Sequence, residues 1–426
     1  MCSDVRRKIS VMNIPAAMLM VAGAMLLVFT AAQAQAQTFT VIHTFTGGGD
    51  GADPRVGVTP DGRGNLYGTA SAGGPRHAGV VFKLSHSGTG WVLNPLYSFT
   101  GDGRNDDGRY PNSRVIIGPD GALYGMTTSG GPMDGGTVFK LTPPTTVCRS
   151  TLCSWTETVL HTFPDPAGTD GLNPVGDLVF DAAGNVYGIT PSGGSGNPNG
   201  CYNGCGVVFQ MHRSQGAWTE NIVHEFTAGS DGGAPQQGVA LDASGNLYGA
   251  ACTGGFYGHG VDFEISVSDW VETPLYTFQG GSNGNCPFGV IRDSSGNLYG
   301  SSGGGSNGRG QVYEISRGNG GWNLSSLYSF LVGGGANNLT LDGHGNLYGT
   351  TFQGGNYNVG TVFKLTYSSG TWTYTLLHEF TGGADGSYPQ DQVVVDSNGN
   401  VFGTASNGGD YQCSYDGCGT VWEITP

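Results

Sequence analysis

Seven near-copies of one short phrase, of the form G-N-L-Y-G, are spread along this chain. The copies occupy residues 64–68, 121–125, 184–188, 245–249, 296–300, 345–349 and 399–403. Successive copies lie about 50 to 60 residues apart, which suits a four-stranded propeller blade better than a helical or leucine-rich solenoid unit. The spacing therefore predicts an all-β fold, a seven-bladed β-propeller of four-stranded antiparallel blades.

Composition and local pattern agree with short strands joined by tight turns. The chain has 79 glycines and 20 prolines without the period of collagen, and its 37% hydrophobic content is enough for a core. In the fourth repeat, the strand-like runs 238–241, 246–250, 260–265 and 270–278 are separated by Gly, Asp, Asn and Ser. Each repeat is thus expected to supply four strands.

The last repeat stops after its third strand-like run, and the missing fourth run is found at the other end of the chain. In six repeats the fourth run carries a tryptophan eight residues before a phenylalanine, as in 155–163. Residues 38–46 (TFTVIHTFT) match that segment. We therefore expect the N-terminal strand to complete the last blade and to close the ring, leaving no open seam.

Residues 1–36 are predicted to be a signal peptide, and residues 37–426 a single propeller domain. A basic stretch (6–8) precedes an apolar segment (16–29), which is followed by small-x-small cleavage sites (32–36). A membrane anchor is the alternative, but the apolar segment is shorter than the ~20 residues of a spanning helix. A secreted or periplasmic protein, not bound to a membrane after cleavage, is expected.

The charge of the chain limits its partners. The formal net charge is −15, and removal of the basic signal segment would leave the rest still more acidic. Such a surface repels nucleic acid and anionic lipid, so neither is expected as a partner. Cationic ligands or metal ions suit the negative electrostatic field of the protein better. A monomer is expected.

The eight cysteines after residue 36 favour disulfide bonds, because their number is even and the chain is predicted to be exported. Six form local pairs, namely Cys148/Cys153, Cys201/Cys205 and Cys413/Cys418. Cys252 begins the loop after the second strand of the fourth repeat, and Cys286 precedes the first strand of the fifth. These two positions share one face of adjacent blades, which predicts an inter-blade disulfide.

The repeated units resemble a known family. The pattern D-x-x-G-N-L-Y-G-T, followed by G-x-V-F-K-L and then L-x-x-F-T-G-G-x-D-G-x-x-P, is similar to the GloVer tandem-repeat (choice-of-anchor) family of secreted bacterial proteins. The similarity covers residues 38–426 and is clearest at 345–365. It implies an exported β-propeller-like protein and brings no established enzymatic activity. The family carries variable C-terminal anchors, and none is recognised before Pro426, so a free protein is expected.

Recurring polar residues are predicted to shape the blades. The aspartate of D-x-x-G-N, as in Asp242, is expected to accept backbone hydrogen bonds in an Asx turn. A second aspartate lies four residues before a proline and could supply oxygen ligands to calcium; its copies are Asp50, Asp107, Asp170, Asp231 and Asp385. A calcium site needs six or more oxygens, so a turn-making role is preferred and no cofactor is expected.

Histidines recur at one position of the fourth strand, two residues before its phenylalanine. They are His43, His161, His224 and His378. Tyrosine fills the same position in other repeats, and this interchange indicates a packing role rather than a metal or acid–base role.

The repeats differ most at the start of the innermost strand, where polar residues are expected to ring one mouth of the central channel. The candidate ligand-binding residues are Arg55, Asn112, Arg114, Asp177, Gln237, Asn338 and Asp391. A hydrated mouth without a ligand is the alternative.

Two functional classes follow from this arrangement. The first is a binding or scaffold module that holds a glycan, a small polar molecule or a protein at the channel mouth and loop face. The second is an extracellular enzyme, such as a lactonase, lyase or glycan hydrolase, with Asp177 and Asp391 as the nominated carboxylates. The second class requires both carboxylates to face one pocket. The first is preferred, because no unique catalytic cluster is found in the sequence.

Overall fold

Short strands alternate with glycine-rich turns throughout the chain and build seven antiparallel sheets. The computed structural model describes residues 37–88, 90–101, 107–144, 155–164, 169–195, 201, 203–409, 413 and 417–426. Residues Phe39–Thr425 form one compact unit. The sheets are the blades of a seven-bladed β-propeller, as the repeat count predicts. The helical element of the described residues is one turn of 3-10 helix, Gly281–Asn283. The described residues form no helix that is long and apolar enough to cross a membrane.

In each blade the first strand lies at the axis and the fourth lies outermost. Blade 1 consists, from first strand to fourth, of Thr59–Pro60, Leu66–Ala70, Val80–Ser87 and Gly90–Ser98. Blade 2 consists of Arg109–Pro111 with Ile116–Ile117, then Leu123–Ser129, Thr137–Thr142 and Thr156–Thr162. Blade 3 consists of Val175–Phe180, Val186–Thr190, Val207–Ser214 and Ala217–Glu225, beside the short pair Gly171–Leu172 and Ser192–Gly193.

The remaining blades repeat this order. Blade 4 consists of Gly233–Pro235 with Ala240–Leu241, then Leu247–Thr253, Val261–Ile265 and Glu272–Thr277. Blade 5 consists of Asn285–Arg292, Leu298–Gly303, Gln311–Gly318 and Gly321–Ser329. Blade 6 consists of Ala336–Leu341, Leu347–Thr351, Thr361–Ser368 and Thr371–Glu379. Blade 7 consists of Val394–Val395, Val401–Ala405, Thr420–Thr425 and the N-terminal strand Thr38–Thr44.

The N-terminal strand closes the ring as predicted. It pairs with the third strand of blade 7, and the Phe45 N–H donates to the Gly419 carbonyl at 3.1 Å. The Phe39 ring stacks on His378 of blade 6, with ring centroids 3.6 Å apart. Pairing the two ends of the chain leaves the last blade with a full set of four strands, so the ring has no unpaired seam.

The repeated phrase is the second strand of each blade, and its final glycine makes room for an aromatic ring. A Cβ added at Gly68 would lie 2.5 Å from Cζ of Phe82, a fully buried residue of the third strand. The same third-strand position holds a phenylalanine in four other blades, Tyr313 in blade 5 and Trp422 in blade 7. These rings fill the core between blades, so the phrase is a packing element.

The aspartate of the preceding turn acts as predicted. Asp242 Oδ1 accepts hydrogen bonds from the Ser244 and Asn246 N–H groups, and Oδ2 accepts from the Asn246 side chain. In blade 2, where glycine replaces this aspartate, Asp120 accepts from the Ala122 N–H instead. These turns define one end of the propeller, which we call the turn face. The loops that connect blades and that join second to third strands define the opposite end, the loop face.

Disulfide bonds join three of the predicted cysteine pairs. Cys252 and Cys286 link blades 4 and 5. The local pairs Cys201–Cys205 and Cys413–Cys418 are also bonded. Cys148 and Cys153 lie outside the described residues.

Candidate binding site at the channel mouth

The centre of the ring is closed by polar side chains. Arg114 of blade 2 forms an ion pair with Asp177 of blade 3, at 2.6 Å between Nη2 and Oδ2. Gln392 of blade 7 donates from Nε2 to the same Asp177 oxygen at 2.5 Å. Blades 3 and 7 are on opposite sides of the ring, so this bond bridges the channel. We call the three residues, together with Asp391, the septum.

Asp391 is the most buried member of the septum, with 7% of its surface exposed. Its Oδ2 accepts from the Gly57 N–H at 3.1 Å, and its Oδ1 accepts from the Asn338 amide at 3.3 Å. Burial and, next, the negative charge of Asp177 raise the pKa of Asp391 to about 6, although Arg114 opposes the shift. Asp391 therefore titrates just below neutral pH, while its bonds hold blades 1, 6 and 7 together.

Glycines allow the innermost strands to approach so closely. A Cβ at Gly57 would lie 2.6 Å from the Gln392 carbonyl oxygen, and one at Gly289 would lie 2.8 Å from Cβ of Gln237. Any larger residue at these positions would push neighbouring first strands apart.

A cavity lies on each side of the septum. The mouth cavity, of about 220 Å³, opens on the loop face and is lined by Arg55, Val56, Asn112, Val175, Gly176, Gln236, Gln237, Gln390 and Asp391. The inner cavity, of about 200 Å³, has Arg114, Asp177, Gln237, Asn338 and Gln392 among its lining residues. The predicted binding residues are thus brought together, but the septum divides them between two cavities.

Two further cavities adjoin the mouth cavity on the loop face. The rim cavity, of about 300 Å³ between blades 1 and 2, is lined by Asp53, Arg55, Ser71, Ala72, Tyr110, Asn112 and Thr128. The seam cavity, of about 450 Å³ between blades 7 and 1, includes Asp53, Arg55, His77, Gln390 and Asn407 in its lining. Arg55 lines all three cavities and is therefore the point at which they meet.

Arg55 is held in place although half of its side chain is exposed. Its Nε donates to Asp53 Oδ2 at 2.8 Å, and the exposed fractions of the two side chains are 49% and 25%. The Ser71 hydroxyl donates to the same Asp53 oxygen at 2.9 Å. A chain of hydrogen bonds from blade 1 thus orients the guanidinium, and its remaining N–H groups can donate to a ligand.

A ring of left-handed residues positions Asp53 and Tyr110. The residue before the loop proline has a φ between 46° and 56° in six blades: Asp53, Tyr110, Asn173, Ala234, Cys286 and Tyr388. Its N–H donates to a carbonyl of the preceding blade, as from Asp53 to Cys418 at 2.9 Å and from Tyr110 to Ala78 at 2.8 Å. This backbone conformation is unfavourable for residues other than glycine. The inter-blade bond offsets its cost and turns the side chain toward the loop face.

Asp53, Ser71, Tyr110 and Thr128 were not among the residues predicted from the sequence. The available signal was the variable residue directly before the loop proline, since Asp53 and Tyr110 both occupy it. Tyr110 is 42% exposed, and the Arg109 guanidinium lies 5.3 Å from the centre of its ring. An exposed aromatic ring beside polar side chains offers both a stacking surface and hydrogen bonds.

The aspartates considered for calcium are engaged in turns. Asp50 accepts from the N–H and the hydroxyl of Thr46, and Asp385 accepts from the same two groups of Thr381. Although burial acts in the opposite direction, hydrogen bonds from His43 and Thr46 lower the pKa of Asp50 below its ordinary value. Asp107 and Asp231 accept from the same two groups of a threonine, whereas Asp170 accepts from the Gly171 N–H.

The fourth-strand histidines contact these aspartates, which adds a hydrogen bond to the predicted packing role. His43 Nε2 lies 3.2 Å from Asp50 Oδ2, and His378 Nε2 lies 3.2 Å from Asp385 Oδ2. Where tyrosine replaces histidine, the Tyr97 hydroxyl donates to Asp107 at 3.0 Å. At this position of blade 1, tyrosine therefore reaches the carboxylate that histidine reaches in other blades.

The seven blades and the septum define a closed β-propeller with polar cavities around one end of its axis. A model of the Gloeobacter/Verrucomicrobia repeat matches residues 26–201, 146–339 and 301–426. The chain therefore belongs to the Gloeobacter/Verrucomicrobia repeat family, which confirms the resemblance found in its motifs.

Solved structures share the fold at low sequence identity. The extracellular domain of a proposed one-component system from B. thetaiotaomicron aligns with a TM-score of 0.53 at 12% identity, covering 92% of this chain and 42% of that one. A proposed 6-phosphogluconolactonase from Bacteroides uniformis aligns with a TM-score of 0.51 at 15% identity, covering 80% of this chain and 89% of that one. No curated protein sequence matches the chain. At these identities the structural matches establish the propeller fold alone.

Proposed function

We propose that the protein is an exported binding module that recognises a neutral, hydroxyl-rich ligand, an oligosaccharide, on its loop face. The observation that carries the proposal is the position of Arg55, an oriented and half-exposed guanidinium at the junction of three cavities. Asp53 balances its charge, so the site suits a neutral ligand better than an anion. The net charge of −15 acts in the same direction.

The chemistry of the lining supports a sugar. Amide side chains of four residues face the mouth cavity, namely Asn112, Gln236, Gln237 and Gln390. Each amide both donates and accepts, as sugar hydroxyls do. Tyr110 adds an exposed ring in the neighbouring rim cavity. A pyranose has hydroxyls at its edge and C–H groups on its face. It can therefore bond to the amides while its face packs on the tyrosine ring.

The arrangement of the cavities suits an oligomer better than a monosaccharide. The mouth, rim and seam cavities, of about 220, 300 and 450 Å³, adjoin one another at Arg55. A chain of sugar units that crosses Arg55 would use adjoining cavities together. One unit near Tyr110 and the next at the mouth is the simplest arrangement.

The positions of the two nominated carboxylates support binding over the enzyme alternative. Asp177 lines the inner cavity and Asp391 the mouth cavity. Asp177 is bonded to Arg114 and Gln392, and Asp391 to Gly57 and Asn338. Carboxylates engaged in this way hold blades together and are poorly placed to attack or protonate a substrate. This arrangement favours binding.

Export is part of the proposal. Three disulfides join described residues, and disulfides persist in oxidising compartments. The predicted signal peptide, residues 1–36, accords with the same location.

The test is a thermal-shift screen of neutral oligosaccharides with cello, malto, xylo and chito backbones, followed by calorimetry on the hits. Binding should weaken about 10- to 100-fold in Arg55→Ala, since hydrogen bonds to a charged group contribute about 1.5–3 kcal/mol. Arg63→Ala is the matched control, because Arg63 is an exposed arginine of the same blade in the Asp61 turn, on the turn face. Equal affinity in Arg55→Ala and the wild-type protein, or no shift with any sugar, would refute the proposal.

A further inference from the structure

One position of the fourth strand carries a glutamate in three consecutive blades. Glu157, Glu220 and Glu272 pair with the third-strand residues Leu141, Met211 and Ile265. The same register position holds Leu93 in blade 1, Leu324 in blade 5 and Tyr374 in blade 6. Because leucine and tyrosine fit there, the fold itself does not require a carboxylate at this position.

The three glutamates are incompletely satisfied. Oε1 of Glu157, Glu220 and Glu272 is buried in each case and has no hydrogen-bond partner among the described residues. Burial raises the pKa of each of these glutamates to about 8, so a carboxylate at this position needs a nearby cation to stay ionised at neutral pH.

Glu220 differs from the other two because a histidine and an aspartate converge on it. His161 lies on the fourth strand of blade 2, Asp170 in the loop that follows, and Glu220 on the fourth strand of blade 3. The His161 Nε2 atom lies 3.1 Å from Asp170 Oδ2 and 3.6 Å from Glu220 Oε2. One donor atom from each residue lies within 4.8 Å of the others, and within the described residues this is the one group of its kind.

Asp170 also lacks the threonine contact that the other aspartates make in their turns. Asp50, Asp231 and Asp385 each accept from the N–H and the hydroxyl of a threonine that follows the fourth-strand phenylalanine. In blade 2 that threonine is replaced by Pro164, which has neither group. Instead, Asp170 Oδ1 accepts from the Gly171 N–H at 2.7 Å, and Oδ2 lies 3.1 Å from His161 Nε2.

The spacing and the donor types suit zinc. Two ligands on a tetrahedral zinc ion, with bonds of about 2.0–2.1 Å, lie about 3.3–3.4 Å apart. The two distances from His161 Nε2, 3.1 and 3.6 Å, bracket that value. One imidazole and two carboxylates are a zinc donor set, whereas calcium prefers six or more oxygens.

We propose that His161, Asp170 and Glu220 form a zinc site between the outer strands of blades 2 and 3, with water as the fourth ligand. The site lies on fourth strands and so is separate from the cavities lined by first strands. A bound ion would tie the two outer strands together and neutralise the two carboxylates that face each other. Glu157 and Glu272 are not part of such a site. Tyr97 takes the place of the histidine near Glu157, and Glu272 does not belong to any group of three described His, Cys, Asp or Glu residues whose donor atoms lie within 4.8 Å of one another.

The experiment is a calorimetric titration of the EDTA-treated, dialysed full chain with zinc chloride. The expected result is one zinc per chain, bound more than about tenfold more weakly by Glu220→Leu, because loss of even an outer-shell partner costs that much. Glu157→Leu is the matched control: it makes the same substitution at the same register beside a tyrosine, and it should bind zinc like the wild-type protein. Both variants introduce the residue that blades 1 and 5 already carry.

A second readout keeps the test decisive if Glu220→Leu folds poorly. His161→Tyr introduces the residue that blade 1 carries at this position, Tyr97, and should also lose zinc binding. Zinc should raise the melting temperature of the wild-type protein and of Glu157→Leu, and should not raise that of either cluster variant. Absence of saturable zinc binding, unchanged affinity in Glu220→Leu, or an equal loss in Glu157→Leu would overturn the proposal.

Discussion

The interface between blades 4 and 5 contains a polar pair where the other blades are apolar. Asp262 is fully buried on the third strand of blade 4, at a position that holds valine in the other six blades. Its Oδ1 accepts from the Tyr313 hydroxyl at 3.0 Å, and its Oδ2 has no partner among the described residues. Tyr313 itself stands where most blades have phenylalanine. The repeats therefore show which apolar pair fits this interface.

Burial raises the pKa of Asp262 well above its ordinary value, and the hydrogen bond from Tyr313 only partly opposes this. In the unfolded chain, aspartate releases its proton above a pKa of about 3.9, whereas the buried Asp262 keeps its proton to higher pH. A folded-state pKa above the unfolded one means that the native state binds more protons. The wild-type protein therefore loses stability as pH rises above about 4.

The perturbation is the double variant Asp262→Val with Tyr313→Phe. It removes the ionisable group and its partner together, and we expect a gain of about 1–4 kcal/mol in the free energy of unfolding at pH 7. Tyr313→Phe alone should destabilise by about 1–3 kcal/mol, because it leaves the second carboxyl oxygen unpartnered. Asp262→Val alone should fall between the wild-type protein and the double variant, since it leaves the tyrosine hydroxyl unpartnered.

Urea unfolding followed by tryptophan fluorescence at pH 5, 6, 7 and 8 measures these differences. The advantage of the double variant in free energy of unfolding should increase as pH rises above about 4, because only the wild-type protein carries the raised Asp262 pKa. A double variant no more stable than the wild-type protein at pH 7, or an advantage that does not change with pH, would refute the reasoning.

Two further predictions concern the links between blades. Replacing Cys252 and Cys286 together by alanine should lower the free energy of unfolding by about 3–4 kcal/mol, which is the loop-closure value for their separation of 34 residues. The urea midpoint should fall accordingly, and an unchanged midpoint would contradict this. Burial raises the pKa of Asp391 to about 6, so the free energy of unfolding of the wild-type protein should fall by about 3 kcal/mol between pH 4 and about 6. This fall should be absent in Asp391→Asn. Parallel stability–pH curves for the two proteins would show that Asp391 does not titrate as described.

Much of the fold follows from local sequence because each blade is a local unit. The phrase G-N-L-Y-G predicts a turn and a second strand, and Asp242 makes the Asx turn that its pattern indicates. Ring closure by the N-terminal strand and the Cys252–Cys286 disulfide followed from strand counting, since the order of strands fixes which face each loop occupies.

The candidate site was only partly predictable, because its details depend on contacts across the ring. The first-strand residues were placed around the axis, but the bond between Gln392 and Asp177 depends on how far each side chain reaches. The left-handed conformation of Asp53 and Tyr110 depends on an inter-blade hydrogen bond, so the proline that follows each of them marks the position without predicting the conformation. The same holds for Glu220, whose partners come from another blade.

The crystal structure of the protein with its best-binding oligosaccharide tests the central claim most directly. The sugar should lie on the loop face, with hydroxyls bonded to the Arg55 guanidinium and one ring against Tyr110. A sugar bound on the turn face, along the fourth strands or in the inner cavity, without contact to Arg55, would contradict the proposed function.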